Sequence, residues 1–171
     1  FATVPRPKQD SDEYPPLAYH DARRALLACR TPLEYRVVYY PLYEGCRIFE
    51  ALQMRPSNWQ GQWLDFKGKG GRRRRVPIHP ELRKVRKIID SCETTSRSSA
   101  EAAFSALRDR IDLRGVTGEP AVCHGLRKCF AETTYDGGRV GWEVVETLLG
   151  HSLGVSETYF HVTDDQKVDA V

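Results

Sequence analysis

The chain has 171 residues, 26 Lys and Arg against 23 Asp and Glu, and a net charge of +3. That length fits one domain with a real core. With no long apolar run and no basic segment leading into an apolar one, the sequence argues against a membrane span and a secretory signal. The chain starts at Phe1 rather than at a methionine, which suggests a piece of something longer.

Residues 1–16 are rich in proline and charge and lack periodicity. They read as a linker or the tail of a preceding domain, with the folded domain over 17–171. From Leu17 to Arg30, the residues Leu17, Ala18, Ala22, Ala25, Leu26 and Cys29 share one helical face. Thr31 is placed to cap a second helix, with Pro32 in its first turn. Pro41 is expected to kink or end that helix. Gly45 breaks the run, and a short helix begins near Arg47 and reaches Leu52.

The pattern changes between Asn58 and Ile78. Short β-prone runs flank a glycine-rich tip, "KGKGG", which predicts a small antiparallel sheet of two or three strands. Helices follow over roughly Pro80–Ser91, Ser99–Leu113, His124–Tyr135 and Val140–Leu149. Polar loops separate them at Ser91–Ser99 and Arg114–Pro120. The expected fold class is therefore mainly α with a small antiparallel β-sheet (α+β).

Charge is unevenly spread. Lys67, Lys69, Arg72, Arg73, Arg74 and Arg75 crowd around the hairpin, a cluster that attracts phosphate polyanions. A merely solvated loop is the alternative. The five cysteines are odd in number and contain no C-x-x-C pair, which argues against a disulfide framework or zinc ribbon and for reduced thiols in an intracellular protein. Cys123, beside His124, is a weak candidate for a nucleophilic thiol.

Several short motifs carry chemistry. In "HGLRK", His124 and Arg127 lie three apart on one helical face, joining a group that exchanges protons near neutral pH to a fork of donors suited to phosphate. Lys69 sits between glycines at the hairpin tip, where little obstructs its reach. In "GCRIFEAL", Arg47 precedes a carboxylate, Glu50, by three residues. "LLGHS" holds His151, and "YFHV" opens with Tyr159. Read singly, each has an ordinary explanation as a surface pair or turn.

Taken in order, "GCRIFEAL", "GKGGRRRRVPI", "HGLRK", "LLGHS" and "YFHV" resemble the catalytic domain of the tyrosine recombinases, the phage-integrase, Xer and Cre-like enzymes. The likeness runs from about residue 17 to residue 163. It implies that Arg47 and Arg127 clamp the scissile phosphate and that Lys69 protonates the departing 5′-oxygen. His124 and His151 would hydrogen-bond the phosphate, with His124 also helping to deprotonate the nucleophile. Tyr159 would form a 3′-phosphotyrosyl link, and Glu50 would support the site. Lys67 and Arg72 to Arg75 would contact DNA backbone.

The resemblance further implies site-specific recombination without metal, nucleotide or other cofactor, on double-stranded DNA, by a tetramer spanning two sites, in the cytoplasm. The N-terminal domain usual in the family would lie before residue 17. Tyr135, Tyr39, Tyr40 and Tyr43 read as packing residues rather than rival nucleophiles. The sequence departs from the family in one respect: Tyr159 follows His151 by eight residues, where many members have nine. A type IB topoisomerase is the neighbouring alternative, though those enzymes usually carry lysine where this chain has His124. A non-catalytic DNA-binding module is the third reading. The segment after Tyr159 is expected to pack on a neighbouring subunit.

Overall fold

A computed structural model describes residues 15–68, 71, 73–93, 95–136, 139–151 and 162–171. Its order is α1 (Tyr19–Ala28), α2 (Pro32–Glu44), α3 (Ile48–Gln53), β1 (Trp59–Gln60), β2 (Trp63–Lys67), β3 (Arg73–Pro77), α4 (Pro80–Asp90), α5 (Arg97–Arg110), α6 (Cys123–Tyr135), α7 (Trp142–Leu149) and α8 (Asp164–Asp169). The mainly helical reading with one small antiparallel sheet holds.

Helix α2 is the central strut, touching α1, α3, α4, α5 and α6. It begins as the sequence suggested, and more firmly. Thr31 Oγ1 accepts the Glu34 N–H at 3.2 Å, and Glu34 Oε2 accepts the Thr31 N–H at 3.1 Å, a reciprocal cap. Of the two outcomes expected at Pro41, a kink or an end, the helix does not end there: α2 continues to Glu44 and stops at Gly45 in the left-handed region, φ +58°. Proline removes the donor that would have met the carbonyl four residues earlier, here that of Val37. The Cys123 thiol lies 3.3 Å from that oxygen and donates to it. Burial pushes the thiol up to about 12, with Glu101 adding to the effect. Cys123 is thus a structural donor rather than a thiolate. All five cysteines are free thiols.

Two apolar clusters flank α2. Leu17, Ala22, Ala25, Val37, Val38, Phe104, Leu107 and Leu126 join α1, α2, α5 and α6. Tyr40, Leu64, Phe66, Val76, Leu82, Ile89, Phe130, Val145 and Leu148 join the sheet to α4, α6 and α7. Tyr40 is core, Tyr39 stacks on Tyr35 at 5.3 Å, Tyr43 on His79 at 4.3 Å, and Tyr135 meets Trp142 edge-on, so these tyrosines are packing residues.

The sheet has order β1-β2-β3 and is antiparallel throughout. Its register sets Phe66 opposite Arg74 and Asp65 opposite Arg75. Side chains alternate across a strand. Arg74 therefore shares the inner face with Val76, while Arg73 and Arg75 face outward and are exposed. Helix α5 starts two residues earlier than expected, at Arg97, because Ser96 caps it by accepting the Ser99 N–H. Helix α8 was not anticipated. Its signal is a capping box, Thr163 with Gln166 three residues on. Val162, Ala170 and Val171 pack against the sheet-side cluster of the same chain.

Of the proposed linker, residues 1–14 lie outside the described residues. Pro16 and Leu17 are tied to the body: the Val116 N–H donates to Pro16 O at 3.2 Å and the Leu17 N–H to Gly125 O at 3.3 Å. Among the described residues, no helix is long and apolar enough to cross a membrane.

Glu44, the last residue of α2, is wholly buried. Its Oε1 accepts the His79 N–H at 2.9 Å, and its Oε2 has no hydrogen-bond partner among the described residues. Burial pushes the carboxyl well above the usual range, only partly offset by the His79 N–H, Arg74 and Arg83. The folded chain thus keeps a proton that the unfolded chain releases. By linkage this costs stability as pH rises above the ordinary glutamate range, by at most about 1.4 kcal/mol per pH unit. Glu44→Gln preserves the acceptor and removes that slope. In urea unfolding, the variant should gain on the parent between pH 5 and pH 8, and a constant difference would refute the assignment.

Candidate active site

The centre of the site is the carboxylate of Glu50 on α3, which has no exposed side-chain surface. Arg74 grips it bidentately, Nη1 to Oε1 at 2.7 Å and Nη2 to Oε2 at 3.0 Å. The Arg47 N–H donates to Oε2 at 2.7 Å, which caps α3. The Arg47 guanidinium lies 3.6 Å from Oε1, and that of Arg127 lies 4.0 Å from Oε2. Burial alone would raise the Glu50 pKa. The Arg74 hydrogen bonds and charge, the Arg47 N–H and the Arg127 charge outweigh it and hold the carboxylate ionised, below the usual range.

Arg74 is fixed on three sides. Its guanidinium carbon lies 4.6 Å from the Phe66 ring centroid, the cross-strand partner that the register predicts. It also fills the space beside Gly150, where a β-carbon would come within 2.8 Å of its Cδ. Gly150 ends α7 at φ +72°, a conformation that suits glycine. The hairpin, α3 and the turn before His151 therefore meet at one guanidinium.

Arg127, on α6, is almost wholly buried. It donates to the carbonyls of Gly45 and Leu149, the latter at 2.9 Å, and so closes the C-terminal ends of α2 and α7. A cation suits these negative helix ends. Its Nη2 also lies 2.8 Å from His151 Nε2. Burial, then the charges of Arg47 and Arg74, push its pKa down to about 9, while Glu50 acts the other way. Arg127 stays a cation at neutral pH.

Arginine only donates, so His151 Nε2 accepts from Arg127 and the ring proton sits on Nδ1, directed at Glu146 Oε2, 2.8 Å away. The Arg127 contact thus defines the tautomer. His124, in the first turn of α6, is exposed. Its pKa is pushed down to about 4 by desolvation of the ring and then by Arg127, Lys128, Arg47 and His151. Since the residue is open to solvent, the surrounding cations are the firmer cause. The imidazole is neutral at pH 7.

The structure therefore brings together Arg47, Glu50, His124, Arg127 and His151. Lys69, Arg72 and Tyr159 lie outside the described residues. Of the expected DNA-contacting residues, Lys67 is exposed at the end of β2 opposite Arg73, and Arg73 and Arg75 are exposed. Arg75 pairs with Asp65 at 3.4 Å. Arg74 is different: only 9% of its side chain is exposed, and Glu50 occupies it. Two partners were not foreseen, Arg74 for Glu50 and Glu146 for His151. The first was readable from strand alternation, because Val76 must face the core and Arg74 shares its face.

This constellation, on a helical body with a three-stranded antiparallel sheet, has the architecture of tyrosine-recombinase catalytic domains. The integrase of mycobacterium phage Brujita superposes with a TM-score of 0.76 at 20% identity, covering 98% of this chain and 60% of that one. The lambda integrase catalytic core gives 0.65 at 19%, covering 81% and 92%. No family model matches the chain. In sequence, it is 30% identical to tyrosine recombinase XerC of Pelobacter propionicus over 90% of this chain and 58% of that protein. It is 26% identical to XerD of Caulobacter vibrioides over 86% and 53%. The chain is homologous, in sequence and in structure, to the catalytic domains of the tyrosine-recombinase, or phage-integrase, family. It spans a little over half the length of these two relatives.

Neighbouring arginines on β3 should respond in opposite ways. Arg74→Ala leaves a buried carboxylate without its bidentate partner and should cost about 3 kcal/mol or more. Exposed Arg73→Ala should change stability by no more than about 0.5 kcal/mol. Equal losses in chemical denaturation would refute the distinction.

Proposed function

We propose that this chain is the catalytic part of a site-specific DNA recombinase that breaks and rejoins strands through Tyr159. The observation that carries the reading is the convergence of Arg47, Arg127, His124 and His151 around one buried carboxylate. Two guanidinium groups and two imidazoles beside a carboxylate that Arg74 already matches form a centre suited to a phosphodiester.

In this scheme Arg47, the more exposed of the two clamping arginines, meets the phosphate first. The phosphate then competes with His151 for Arg127. Glu146 orients the His151 ring through Nδ1. With the negative charge of the bound phosphate offsetting the cations around it, neutral His124 accepts the Tyr159 proton as the phenolic oxygen attacks phosphorus. The P–O5′ bond breaks, and Lys69 supplies a proton to the leaving 5′-oxygen. The phosphotyrosyl ester conserves the bond energy, so a 5′-hydroxyl from another strand can reverse the step. The chemistry asks for no metal or nucleotide.

Lambda integrase is known as a dimer bound to a COC′ core site, and XerH bound to its difH substrate. By analogy this chain would act on a double-stranded recombination site inside the cell, as a tetramer across two sites, with the region preceding residue 17 linking it to a further DNA-binding domain. His124, where type IB topoisomerases usually carry lysine, favours a recombinase. Lys67, Arg73 and Arg75 supply salt-sensitive backbone contacts.

The test is a nicked duplex carrying the native site, or supercoiled plasmid while the site is unknown, incubated in chelator and resolved on a denaturing gel. The parent should yield a covalent protein–DNA band and Tyr159→Phe none. Absence of the band for full-length protein on its native site would overturn the catalytic reading. Arg73→Ala should weaken binding alike on unrelated sequences and flatten the salt dependence by about one unit of slope.

A further inference from the structure

Beside the arginine centre lies a cavity of about 470 Å³ between α3, α5 and the start of α6. Arg47 and His124 form part of its wall, so it is continuous with the candidate phosphate site. The remaining wall divides by chemistry. Phe49 and Phe104 give it an aromatic lining, while Ser105, Glu101, Arg97 and Arg108 on α5 give it a polar edge. The Glu101 charge is matched by Arg97, whose Nε lies 2.7 Å from Oε1. None of the catalytic roles proposed above uses Phe49, Phe104, Ser105 or Glu101.

A volume of this size suits a small ligand. Aromatic lining, a polar edge and two phosphate-directed side chains in one wall together match a nucleotide: a flat ring for the phenyl groups, edge atoms for the hydroxyl and carboxylate, and a phosphate for Arg47 and His124. We infer that this cavity receives one unstacked nucleobase attached to the phosphate held by Arg47 and His124. The inference rests on the phosphate reading of those two residues. It adds a base-binding subsite, with Phe49 and Phe104 as its packing surface and Ser105 as a hydrogen-bonding group.

The test uses calorimetric titration of the purified chain at low salt with three probes: deoxyadenosine 5′-monophosphate, deoxyribose 5-phosphate and inorganic phosphate. The nucleotide should bind roughly tenfold or more tightly than the sugar phosphate, the margin expected for one stacked base. Ser105→Trp, which fills the cavity, should bring the nucleotide down to the affinity of the sugar phosphate and leave the sugar phosphate unchanged, which also reports that the variant is folded. Equal binding of nucleotide and sugar phosphate by the parent would overturn the base subsite and leave the phosphate reading standing. Failure of all three probes to bind would overturn both.

Discussion

The buried pair of Glu50 and Arg74 is the constraint on which the site depends. A carboxylate with no exposed side-chain surface is tolerable only if it is matched, and Arg74 matches it with two hydrogen bonds of 2.7 and 3.0 Å. The pair ties β3 to α3. Packing of the same arginine against Gly150 adds the end of α7. Once those three elements are fixed, Arg47 stands at the head of α3, His151 follows the α7 turn, and Arg127 reaches the Gly45 and Leu149 carbonyls from α6. The positions of these three candidate site residues thus follow from one ion pair and the helix ends around it.

The three arginines differ in how much of their charge is already spent. Arg74 is neutralised by contact and nearly closed to solvent. Arg127 is divided between two helix-end carbonyls, His151 and a more distant carboxylate. Arg47 keeps about a third of its side chain exposed and only a loose contact with Glu50. One acid cannot balance three bases, and the surplus positive charge is greatest where solvent access is greatest. The depressed pKa of His124 belongs to the same imbalance, because its neighbours leave it little tolerance for a proton.

Much of this was legible from the amino-acid sequence, for physical reasons that can be named. Helix starts were marked by side chains that cap, as Thr31 does, and the sheet by alternation around a glycine-rich tip. The order of short motifs identified Arg47, His124, Arg127 and His151 as one set. What the sequence left out has causes too. Helix α2 runs past Pro41, and Cys123, 82 residues further along, supplies a donor to the carbonyl that proline deprives. No local rule contains that contact. The arginine run was read as one block of charge, whereas the pleat divides it into outward Arg73 and Arg75 and inward Arg74. Helix α8 was overlooked although Thr163 and Gln166 have capping-box spacing, because so short a helix has little periodicity to detect.

The inward arginine shows why charge counting alone misleads at such a site. Coulomb attraction to a polyanion scales with exposed cations, and on β3 the exposed ones are Arg73 and Arg75. Arg74 works through a low-dielectric interior, where a mismatched charge is far more costly than at the surface. Its job is to keep Glu50 ionised at the foot of Arg47 and Arg127. A lysine there would offer a point charge instead of a planar fork and would lose the bidentate grip. Two residues adjacent on one strand thus serve different physics, one long-ranged and screened by salt, the other short-ranged and shielded from it.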